Sequence, residues 1–206
     1  MNKRGSMSLR EKKKQETRNR IFDVSGKLFK EKGFENTTVG EITKEAGIAK
    51  GTFFNYFPTK ESLLFYFKKQ KEELIFNIVE TQMSLDVPAK EKIMNFFVLL
   101  AENYEKDKEL TRLLFFEHKR LTMASSQRSG KKEHGHQRFI DILCDFLKEG
   151  MQNGEIRNEI DLKIASESLN AIYFHSLMIW LHSDNDDSFS RDISAKIDLL
   201  FEGIGE

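Results

Sequence analysis

The chain has 206 residues, 39% of them apolar and 32% charged, which is one or two domains' worth of sequence and enough to bury a real core. Its 33 Lys/Arg and 33 Asp/Glu cancel overall but not locally: residues 1–70 hold 16 basic and 8 acidic side chains, the remainder 17 and 25. The leading third therefore suits a polyanion, while the acidic remainder is excluded from that role. A single cysteine, Cys144, excludes an internal disulfide, no apolar run reaches the roughly 18 residues of a membrane helix, and the charged start lacks the apolar segment of a signal peptide. A cytoplasmic, soluble chain without membrane association is expected. Two prolines, 12 glycines and no alternating β-rich runs predict an all-α fold of about nine helices.

In chain order, residues 1–14 carry Lys3, Arg4, Arg10, Lys12, Lys13 and Lys14. They read as a basic flexible tail, with phosphate or minor-groove contact as its functional reading. Ile21, Val24, Leu28 and Phe29 then recur at helical spacing, predicting a first helix from about Lys14 to Lys32, stopped by Gly33. Thr38 with Glu41 is a capping-box signature, so a second helix starts at Val39, turns Ile42 and Ala46 inward and stops at Gly47. After the turn Gly47-Ile48-Ala49 a third helix runs from Lys50 toward Phe57, where Pro58 forces residue 57 out of the helical region. Two short helices joined by a Gly-containing turn form a helix-turn-helix, whose second helix enters the DNA major groove.

The third helix can be sorted by face. Phe53 and Phe57, four apart, belong inside, which leaves Lys50, Thr52, Phe54, Asn55 and Tyr56 outside. Aromatic rings beside Lys, Thr and Asn suit thymine methyls and phosphate oxygens, and Gly51 permits close approach of the backbone. The plain alternative is a three-helix core with stray surface aromatics. Thr38 and Lys60 stand at helix starts, where both are expected on phosphate. The DNA-binding set is thus Thr38, Lys50, Gly51, Thr52, Phe54, Asn55, Tyr56 and Lys60.

The run Leu28–Phe34, then Thr37–Ile42, Ala46-Gly47-Ile48 and Lys50–Glu61 resembles the TetR family of bacterial transcriptional regulators over about the first third of the chain. Phe54-Asn55 stands where that family often has two tyrosines, and Ala49 where a Ser often caps the recognition helix. The resemblance implies a DNA-binding domain over residues 15–60 and a helical effector-binding and dimerisation domain over 61–206. It also implies a repressor that holds a palindromic operator as a dimer until a small molecule binds.

Beyond Thr59 the pattern predicts a long helix to about Ser84, then helices over about Pro88–Lys106, Lys108–Thr122 and Gln137–Gln152. Ala124–His136 reads as a mobile loop or frayed helix end. Two further helices end near His182 and Glu202, and their apolar residues exceed what closing one core needs. A homodimer through these last two helices is the economical explanation, against closure of the monomer core alone.

No zinc motif, phosphate-cradling loop or nucleophile elbow is present, and no catalytic residue, cofactor or metal is assigned. His134 and His136 form a flexible His-x-His without a third ligand. His118 and His175 read as satisfied histidines first and as ligand-polarising groups second. An effector pocket, expected for an apolar or amphipathic ligand, is assigned to Phe96, Phe97, Tyr104, Phe115, Phe116, His118, Tyr173, Phe174, His175 and Trp180. Two rival readings remain: a DNA-binding dimer without an effector, and an enzyme in the helical body.

Overall fold

The computed structural model describes residues 8–129, 135–185 and 187–203. Among them are nine helices and no strand: α1 (Leu9–Lys32), α2 (Val39–Glu45), α3 (Lys50–Tyr56), α4 (Ser62–Ser84), α5 (Ala89–Glu105), α6 (Lys108–Ser129), α7 (Gly135–Gln152), α8 (Leu162–His182) and α9 (Phe189–Glu202). They form two compact units, the first reaching Lys69 and taking Glu109–Ala124 of α6, the second comprising Gln70–Lys108 and the residues from Ser125 on.

Local signals set most helix ends. Ser8 caps α1 through a reciprocal box with Glu11, so the helix begins at Leu9 rather than near Lys14, and Arg10, Lys12, Lys13 and Lys14 are helical. Residues 1–7 of the basic segment lie outside the described residues. The polar stretch after Ala124 continues α6 to Ser129 instead of opening a loop there, and α7 has begun by Gly135. At the start of α4, Thr59 and Ser62 exchange backbone-to-hydroxyl hydrogen bonds of 3.2 and 3.3 Å, and the regular helix begins at Ser62.

The first unit buries Ile21, Phe22 and Phe29 of α1 against Ile42, Phe53 and Phe57, and closes over them with Leu63, Leu64 and Leu114. The second unit is an aromatic-rich core in which α5 packs on α7 and α9, and α8 on α7 and α9. Phe97 and Phe139 both stack on Tyr173, with centroids 5.2 and 5.1 Å away. Burial pushes the Tyr173 phenol well above its ordinary range, and the neighbouring Tyr104 adds to the shift. Lys92 is only 3% exposed, and its ammonium pairs with Glu149 across α5 and α7 at 2.6 Å. Near that pair, a methyl group added to Gly150 would come within 2.6 Å of the Ala89 Cβ, so the two helices touch where neither has bulk.

Candidate nucleic-acid interface

Three features shape the helix-turn-helix. Thr38 caps α2, and the Glu41 carboxylate accepts from the Thr38 N–H and hydroxyl, each at 2.9 Å, and from Lys32 at 2.6 Å. The Lys32 ammonium, followed by the Thr38 donors, holds the Glu41 carboxyl at about 2, well below the usual carboxylate range. Gly47 then reverses the chain with φ +63°, a conformation that a side chain disfavours. Ala49 precedes α3 with extended geometry and no side-chain cap, as expected of a residue without a hydroxyl.

α3 is held from beneath. Phe53 and Phe57 are 0% and 2% exposed, and Phe57 is extended ahead of Pro58 (φ −135°, ψ 102°). The opposite face carries Lys50, Gly51, Phe54 and Asn55, all exposed, with Thr52 and Tyr56 half-buried at its margins. Phe54 is 49% exposed, its ring edge-on to Phe53 at 5.5 Å. A side chain at Gly51 would meet nothing within 4 Å, so the backbone is open to approach there. The Lys50 stem lies over Gly40, with Nζ 3.7 Å from where a Cβ would stand, which brings its charge to the first turn of α2 near Thr38. Together these groups present one cation, hydroxyls, an amide and one exposed ring on a single surface, which is equipment for phosphate contact and groove reading.

Lys60 is placed differently from the rest of the set. Its ammonium donates to the carbonyls of Phe34, Glu35 and Thr37 at 2.7, 3.2 and 3.1 Å. No sequence pattern signals this, because the acceptors are backbone atoms more than twenty positions upstream. The bridge from Arg120 of α6 to the Glu35 carboxylate joins side chains 85 positions apart and has no sequence signature either.

The ten residues expected around an effector are divided between the units. Phe96, Phe97, Tyr104, Tyr173 and Trp180 are buried in the second, Phe174 is half-buried there and His175 is exposed. Phe115, Phe116 and His118 belong to the first unit, where the His118 ring meets Phe65 edge-on at 5.8 Å. Phe139, Phe146 and Phe189, which are outside the expected effector set, join the same aromatic core, Phe139 and Phe146 from the apolar stripe of α7 that they share with Leu143. His134, and the side chain of His136, lie outside the described residues. Among the described residues no cluster of three His, Cys, Asp or Glu could hold a metal, and no helix is long and apolar enough to cross a membrane.

Comparison with known proteins matches residues 21–67, which span α1's buried half through the start of α4, to the family described as bacterial regulatory proteins, tetR family. A fatty acid metabolism regulator protein of Bacillus subtilis is 27% identical over 188 residues, covering 89% of this chain and 93% of that protein. The crystal structure of a transcriptional regulator FadR from Bacillus subtilis in complex with stearoyl-CoA superimposes with a TM-score of 0.67 at 24% identity, covering 90% of this chain and 98% of that one. Thermus thermophilus FadR, a transcriptional repressor solved with lauroyl-CoA, gives 0.64 at 26% identity, covering 92% and 95%. With the helix-turn-helix, the exposed face of α3 and the all-helical second unit in place, residues 21–67 carry the domain of the tetR family of bacterial regulatory proteins, and the chain as a whole is similar to transcriptional regulators of that family.

Proposed function

We propose that this regulator is a cytoplasmic repressor, a homodimer that occupies a palindromic operator and leaves it when a fatty acyl-CoA binds the second unit. The observation that carries the DNA half is the α3 face: Lys50, Gly51, Phe54 and Asn55 stand outward on a helix pinned by Phe53 and Phe57. Thr38, Lys50, Asn55 and Tyr56 hold phosphates, Thr52 and Phe54 read base edges, and Gly51 permits the approach. Two such helices lie about 34–36 Å apart to enter successive major grooves. Exposed apolar residues on α8 and α9, Ile164, Ile179, Leu199 and Leu200, support pairing through those helices.

The effector class rests on the relatives solved with stearoyl-CoA and lauroyl-CoA. A coenzyme A thioester is amphipathic, and Phe96, Phe97, Tyr104, Tyr173, Phe174 and Trp180 are the candidates to face its acyl chain. Release needs no catalysis, and the protein is not an enzyme on this reading. A ligand that favours another spacing of the two reading heads shifts the population, and a coupling of about 1–3 kcal/mol suffices. The test is selection of DNA from a random pool, followed by affinity measurements with stearoyl-CoA, coenzyme A alone and stearate alone. A palindromic consensus whose binding weakens at least tenfold only with the thioester is expected. Equal affinity with and without it would remove the effector assignment, and selection of no consensus would remove the operator.

A further inference from the structure

Lys60 sits between Pro58 and the first turn of α4, a place that suggests a phosphate ligand, yet its donors face inward. An ammonium has three N–H groups and accepts nothing. The carbonyls of Phe34, Glu35 and Thr37 use all three, at 2.7, 3.2 and 3.1 Å. The Phe34 ring lies beneath the same nitrogen at 4.4 Å, an additional attraction for a cation. The acceptors follow the end of α1, where the helix dipole also favours positive charge.

The loop so held is the entry to the helix-turn-helix. Thr37 is 1% exposed and donates its hydroxyl to the Gly33 carbonyl at 2.8 Å. The next residue, Thr38, caps α2 through Glu41. On the same loop the Glu35 carboxylate is bonded by Arg120 of α6. Loop residues 34–37 are therefore tied to the segment leading into α4 by an ammonium and to α6 by a guanidinium, and Thr38 inherits its position from them.

We propose that Lys60 is a positioning residue for operator recognition: it clamps the α1–α2 loop and so fixes how α2 and the reading helix α3 are presented, and it is not a ligand of DNA phosphate. The inference rests on the reading of α3 as the DNA-reading helix. A phosphate contact would require Lys60 to leave three charge-assisted hydrogen bonds, whereas Lys50 is exposed on α3 and gives up no such set. The two roles predict opposite signatures. A phosphate ligand contributes to every DNA sequence and to the salt slope, while a clamp contributes to the correct sequence only.

The experiment compares wild type, Lys60→Met and Lys60→Arg on the DNA selected by the wild-type protein and on a scrambled duplex, each across a salt series. The clamp predicts that Lys60→Met loses about tenfold on the selected DNA, roughly the worth of one charge-assisted hydrogen bond, and nothing on the scrambled duplex, with both salt slopes unchanged. Lys60→Arg keeps the charge but replaces a point donor with a planar fork, and it too loses preference for the selected DNA. Equal loss by Lys60→Met on both duplexes with a slope lower by about 0.9, together with a neutral Lys60→Arg, would overturn the proposal. So would no loss by either variant. A DNA-free readout separates this from the operator itself: in the isolated protein, exchange of the Glu41 and Ile42 amides, which bond to Thr38, should accelerate about tenfold in Lys60→Met. If wild type selects no consensus, the operator reading fails and amide exchange alone decides the clamp; unchanged exchange then overturns it.

Discussion

Glu41 receives three donors, two from Thr38 and one from Lys32, and each favours its ionised form. Its folded value of about 2 lies below the ordinary 4.5, so the carboxylate's contribution to stability is fully present above pH 4.5 and is lost as the pH falls toward 2. Glu41→Gln keeps an acceptor for the Thr38 N–H but loses the charge. The difference in melting temperature between wild type and Glu41→Gln should therefore shrink steadily on acidification through that window. A constant difference across it would show that Lys32 and Thr38 do not act through the charge. The capping box was legible because Thr38 and Glu41 are three apart in sequence. The lysine was not, since Lys32 reaches Glu41 across the turn at Gly33.

At the scale of elements, α5 and α7 share an ion pair between the buried Lys92 and the half-buried Glu149. Removing one partner of such a pair strands the other charge, at about 3–5 kcal/mol, whereas replacing a charge by a matching apolar chain is often neutral. Glu149→Ala should lower the stability of the second unit by a few kcal/mol, and the double variant Glu149→Ala with Lys92→Met should recover most of it. Urea titration with a second-unit probe such as Trp180 fluorescence reads both. Failure of the double variant to recover would mean that packing, not charge, dominates at this seam. Helix existence and order were readable from periodicity, and α9 runs over Phe189–Glu202 as the pattern predicts. The start of α1 was missed because a run of lysines resembles a solvated tail, although Ser8 and Glu11 carry the same box as Thr38 and Glu41. Lys92 looks like a surface residue in sequence, and only its i+1 and i+4 neighbours, Ile93 and Phe96, mark the buried side of the helix.

For the whole molecule, the proposed dimer places α8 and α9 against their copies. Ile179 and Leu199 are 53% and 51% exposed in the single chain, which an interface would cover. Ile179→Glu with Leu199→Glu should give a monomer in sedimentation, with helix content retained and operator affinity down by at least a hundredfold, because two half-sites are no longer read together. A dimer of unchanged affinity would exclude this face. The basic leading third of the sequence is where the helix-turn-helix lies, and that motif was legible because caps, Gly47 and Pro58 are local signals. The effector set was less legible. Large aromatics at helical spacing describe a packed core and a lined cavity equally well, and nothing local assigns Phe115, Phe116 and His118 to the first unit.

The contact between Gly150 and Ala89 also limits how this chain can drift. Alanine at both positions would force two methyl groups to within 2.6 Å, with the Ile156 Cδ1 a further 2.8 Å neighbour, whereas glycine at both leaves only a small void. A lineage exchanging the two residues must therefore lose the methyl at 89 before gaining one at 150. The order of the two substitutions is imposed by the seam, and homologues caught midway should carry two glycines there and never two alanines.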